Sequence, residues 1–133
     1  GGKEKIKLGG IVKENAEKSV ELDPESYGPH IILGIYFREL ANLNWCLKVF
    51  ARACFGEIPE VTNRDSEKEL LRAIELDRTN ICAHYELAIT YREMNRISEA
   101  VKYLRKAIEL PPADHQDKRI KSKSETLLMA LCE

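Results

Sequence analysis

A five-residue phrase recurs three times in this chain: Ser19-Val20-Glu21-Leu22-Asp23, Ala73-Ile74-Glu75-Leu76-Asp77 and Ala107-Ile108-Glu109-Leu110-Pro111. The last two copies start 34 residues apart and the first two 54 apart, an excess of 20 over the shorter period. A fixed period of this size belongs to stacked helical hairpins, in which no unit can bury its apolar face alone. The expected fold is therefore all-α: a right-handed superhelix of antiparallel helix pairs, interrupted once.

A chain of 133 residues suits one domain and buries roughly two thirds of its unfolded surface without a disulfide or metal. Its 21 Lys and Arg nearly balance 22 Asp and Glu, so no global field draws it to nucleic acid or an anionic membrane. No apolar run reaches the roughly 20 residues that cross a bilayer, and the first residues lack a signal-peptide pattern. The expected location is cytoplasmic. Cys46, Cys54, Cys82 and Cys132 form no CxxC pair and are expected to be reduced thiols, mostly packed as small apolar groups.

From Ile81 to Asp114 the period fills without a gap. Leu87, Ala88 and Tyr91 occupy a first helix, Ala100, Leu104 and Ala107 a second, and Pro112 its stop, with Asn95-Arg96 as the turn. Small residues fall where two helices approach closely and large apolar ones between those contacts. This pattern resembles the tetratricopeptide repeat, with His84 replacing its usual tryptophan. The same register places an earlier first helix at 27–40, carrying Leu33-Gly34 and Phe37, and its second helix at 65–76, carrying Leu70 and Ala73. Residues 3–22 read as an orphan second helix whose Ile6, Ile11, Val12, Ala16 and Val20 lack a partner, which leaves a homodimer through this helix open. A capping helix is expected at 115–131 behind Asp114, with Ile120, Leu127, Leu128 and Leu131 on one stripe. Its Lys118, Arg119, Lys121 and Lys123 lie largely off that stripe and read as a solvated face.

The surplus residues are strongly apolar. Trp45, Val49 and Phe50 suit a short inserted helix at about 44–55, broken by Gly56, Pro59 and Asn63. A segment this hydrophobic is expected to pack on its own repeat, although burial against a partner is the other way to hide it.

With these residues placed, the chain resembles the tetratricopeptide-like domain of the regulator of microtubule dynamics family, bacterial relatives included. The likeness rests on Lys3-Glu4-Lys5-Ile6 leading to Glu21-Leu22-Asp23-Pro24, on His30 with Leu33-Gly34, and on Ala41, Trp45, Ala51, Phe55 and Pro59 of the insertion. It is completed by Leu110-Pro111-Pro112 with Asp117-Lys118. Animal members act with microtubules, which bacteria lack, so the resemblance implies the fold more firmly than a cellular role.

No constellation for catalysis is visible: Cys82 and His84 lie about 200° apart on a helix, and no phosphate loop, paired-histidine motif or nucleophile elbow occurs. The chain is therefore expected to be no enzyme, with no cofactor and no metal. Resemblance to tetratricopeptide repeats implies a groove lined by Gly28, Ile31, Ile35, Arg38 and Glu39 of one first helix and Cys82, Tyr85, Ile89, Arg92 and Glu93 of the next. Its positions Ile31-Ile32 and Tyr85-Glu86 offer no Lys/Arg/Asn clamp for a peptide carboxylate. The leading expectation is a non-catalytic scaffold holding a protein helix or peptide on Ile31, Ile35, Arg38, Tyr85, Ile89 and Arg92. The alternative is an apolar-ligand or lipid module whose cavity is roofed by the Trp45 helix, which would cover Ile31, Ile35 and Tyr85.

Overall fold

The computed structural model describes residues 1–56 and 60–133; the expected break at Pro59 lies outside them. Those residues hold seven α-helices: α1 Gly2–Leu22, α2 Tyr27–Ala41, α3 Trp45–Phe55, α4 Asn63–Leu76, α5 Ile81–Glu93, α6 Ile97–Glu109 and α7 His115–Leu131. The fold is all-α.

Polar side chains set the helix starts. Asn44, Asn80 and Asp114 each accept a hydrogen bond from the backbone N–H three residues on, at 2.8–2.9 Å, satisfying donors that a helix leaves free. Thr62 accepts from the Arg64 N–H while the Asp65 carboxylate accepts from the Thr62 N–H at 2.8 Å. This capping pair starts α4 at Asn63, two residues before the expected 65. Between α5 and α6 the chain turns through Asn95 at φ 59°, a left-handed conformation that asparagine tolerates better than most residues.

α2 packs on α4 and α5 on α6, and the two pairs join through α4 with α5 and α2 with α5. Asn42 and Asn63 show how the insertion is accommodated: their amides exchange hydrogen bonds at 2.8 and 3.4 Å. The chain thus resumes α4 beside the point where it left α2, and the surplus residues, α3 among them, form an excursion from one closed hairpin.

Ile31, Leu70, Ala73, Ala83, Leu87, Tyr91 and Ala100 form the main core. A Cβ on Gly34 would lie 2.5 Å from Leu70 Cγ, so glycine is what lets α2 approach α4. Ile81, Ala107, Leu110 and Ile120 form a second cluster under α7. Lys121 ties that helix down by donating from Nζ to the Leu110 carbonyl at 3.0 Å.

In α1, Ile11 and Val12 point to solvent with Leu8, as residues without a partner helix do, while Ala16 is buried and Ile6 and Val20 half-buried. The helix meets α2 and α3 through its glycine side: a Cβ on Gly9 would meet Tyr36 at 3.3 Å and one on Gly10 would meet Phe55 at 3.2 Å. The cysteines need correction, since Cys46, Cys54 and Cys132 are exposed and only Cys82 is half-buried.

Candidate partner-binding groove

Six residues were expected to line one groove, and the structure divides them. Ile31 is 8% exposed and belongs to the main core, with Ile35 packed against its edge. Arg38 is 6% exposed. Its guanidinium reaches from α2 to α5, where Nη2 pairs with Glu86 Oε2 at 2.7 Å and Nη1 donates to the Glu86 carbonyl at 3.0 Å. Ile31 and Arg38 are thus taken up in joining helices, because α5 lies against α2, while Ile35 stays half-buried at the edge of the core.

Tyr85, Ile89 and Arg92 do line an open groove of about 470 Å³, but its other wall is α7. Ser122, Lys123, Thr126, Leu127 and Ala130 complete it. Lys123 and Thr126 were legible in principle: one further period of 34 carries Ile89 to Lys123 and Arg92 to Thr126. Read only as a cap, the terminal helix hides this correspondence.

The groove has an apolar floor of Tyr85, Ile89, Leu127 and Ala130, the cations Arg92 and Lys123, the hydroxyls of Ser122 and Thr126, and no carboxylate among its lining residues. Arg92 makes only an exposed contact with neighbouring Glu93 at 3.4 Å. Burial, helped by Glu86, raises the Tyr85 phenol above its ordinary pKa, so it stays a neutral donor at physiological pH.

The two histidines sit inside the stack. His30 Nδ1 lies 2.7 Å from Glu69 Oε2, and His84 Nδ1 donates to the Asn80 carbonyl at 2.8 Å while its ring packs 6.0 Å from Tyr103. Burial lowers the His84 pKa. Sequence reasoning missed the buried Ser66–Thr90 hydroxyl pair, 2.9 Å apart, which links α4 to α5. It also missed Arg96, which grips Glu67 and Glu99 and stacks 4.8 Å from the Tyr91 ring.

The inserted helix does not roof this groove. α3 lies on α1, with Leu47 against Gly2 and Phe50 beneath Lys3 and Lys7. Trp45 is 76% and Val49 44% exposed, because the helix turns Ala51 and Leu47 inward. An open cleft of about 630 Å³ does exist beside Phe55, Tyr36 and Leu40, but Lys13, Glu14, Glu17, Glu60 and Asp65 make much of its lining charged.

The family model described as regulator of microtubule dynamics protein 1-3 matches residues 1–132. The chain belongs to this family. Mouse regulator of microtubule dynamics protein 3 is 31% identical over 128 residues, covering 96% of this chain and 27% of that protein. Rat regulator of microtubule dynamics protein 1 is 30% identical over 133 residues, covering 98% of this chain and 43% of its own length. Human regulator of microtubule dynamics protein 2 is 27% identical, with 96% and 31% covered. The chain thus spans less than half of these family members, and no helix among its described residues is long and apolar enough to cross a membrane.

Proposed function

We propose that this domain is a non-catalytic interaction module, a tetratricopeptide-like right-handed superhelix that holds an acidic amphipathic helix or extended peptide between α5 and α7. The observation that carries the reading is the lining itself: an apolar floor from Tyr85, Ile89 and Leu127, with Arg92 and Lys123 as its only charges. Such a surface anchors apolar side chains and selects carboxylates around them. The site of the leading expectation thereby moves one helix along the stack, from α2 and α5 to α5 and α7.

Selection from a phage-displayed peptide library tests the reading. Enriched peptides should carry an aliphatic or aromatic anchor beside Asp or Glu, and their affinity should fall at least about tenfold in Tyr85→Ala/Ile89→Ser, the loss expected when a central anchor site is removed. Peptides that bind this folded double variant as well as wild type would place recognition elsewhere. Similarity to regulators of microtubule dynamics makes co-sedimentation with microtubules the natural whole-partner assay, with the same variant as control.

A further inference from the structure

We propose that the outward face of α3 docks on an anionic lipid surface. At 100° per residue, Trp45, Val49, Ala53 and Cys46 share one arc of this helix, and all four are exposed. Lys48 and Arg52 border the arc on one side. On the other lies Phe50, whose ring centroid is 5.1 Å from Lys3 Nζ and 6.0 Å from Lys7 Nζ of α1. The helix itself contains no carboxylate, Glu4 is the single acidic residue in the neighbouring Gly2–Leu8 stretch of α1, and Glu60 lines one pocket with Lys48 and Arg52. An apolar stripe edged by cations and carrying tryptophan is the pattern that lies in a membrane interface, where the indole spans the boundary between acyl chain and headgroup.

The size of the patch favours lipid over a protein partner. The stripe of this 11-residue helix measures about 16 Å by about 10 Å, far below the roughly 800 Å² that each side of a stable protein complex buries. A lipid surface needs no complementary pocket and gains from every cation near it. The groove between α5 and α7 is formed by other helices, so the two sites are separable.

Trp45 is the sole tryptophan, so its fluorescence reports docking directly. Added phosphatidylcholine vesicles containing phosphatidylserine should shift its emission to the blue and carry the protein with them in flotation, more strongly at low than at high salt. Pure phosphatidylcholine vesicles should do neither. Lys48→Ala/Arg52→Ala, which keeps the apolar stripe, should bind the anionic vesicles about thirtyfold more weakly. Trp45→Ser, read by flotation, should bind weakly too, whereas Tyr85→Ala/Ile89→Ser should bind as wild type does. Unchanged emission with anionic vesicles, or equal binding by the folded Lys48→Ala/Arg52→Ala variant, overturns the proposal. A blue shift that follows protein concentration without vesicles also overturns it, in favour of a second copy covering the face.

Discussion

Arg38 and Arg92 occupy the same register position in successive first helices, yet one is buried in an ion pair and the other lies open in a groove. The difference lies in the helix that follows. Arg38 meets Glu86 on α5; one period on, the residue matching Glu86 is Ile120 of α7, which is buried in the second core cluster and offers no charge. The neighbours Ile31 and Tyr85 diverge in the same way, the first in the core and the second half-buried at a groove. A repeat therefore fixes where a side chain sits on its helix, while the next helix decides whether that side chain is structural or available.

The comparison can be broken most forcefully at Arg38. Arg38→Ala strands the Glu86 carboxylate, and unfolding in urea should show a loss of about 3–5 kcal/mol, the usual cost of halving a buried pair. Arg92→Ala should stay within about 0.5 kcal/mol of wild type. Similar losses for both would mean that the neighbouring helix does not set their roles.

Gly34 and Ala88 are a second matched pair. Gly34→Ala pushes a Cβ into Leu70 and should cost about 1–3 kcal/mol in the same titration. Ala88→Gly, which weakens helix propensity at a buried position, should cost about 1 kcal/mol.

A smaller effect is expected from Ser66→Ala, because Thr90 keeps its bond to the Glu86 carbonyl at 3.1 Å. About 1 kcal/mol should be lost, with the groove variants unaffected.

pH probes His84. Burial lowers its folded pKa, so the unfolded chain binds the proton more readily and stability falls as pH drops below the ordinary histidine value of about 6.5. The urea midpoint should decline modestly between pH 7.5 and 5, and His84→Gln should flatten that slope. An unchanged slope in the variant would assign the pH dependence to other groups.

Thiol labelling gives the finest discrimination. Burial pushes the Cys82 thiol up to about 11, so at pH 8 it should label slowly while the exposed Cys46, Cys54 and Cys132 react first. Four equal rates in the folded protein would mean that α5 opens readily at its start.

Much of the helical framework was legible because its signals are local. Asp114 acts as a cap, Ala73, Ala100 and Ala107 as close-contact positions, and Leu70 and Leu104 as fillers, all through interactions within a few residues or one period. The site was half legible. Tyr85, Ile89 and Arg92 could be read from register, but their opposing wall required knowing that α7 packs beside α5. The Ser66–Thr90 pair joins residues 24 positions apart and leaves no periodic trace.

The sequence by itself determined the all-α class, the 34-residue spacing of the regular repeat and the 20-residue excess that carries Trp45. Period and capping act along the chain, so they are written into it. Tertiary structure alone decided that Arg38 is a strut and Arg92 a lining residue, and that α3 rests on the glycines of α1 with Trp45 facing outward. Those outcomes depend on which surfaces meet. An apolar arc such as that of α3 leaves one face over when it packs with another, and composition is the same whichever face remains.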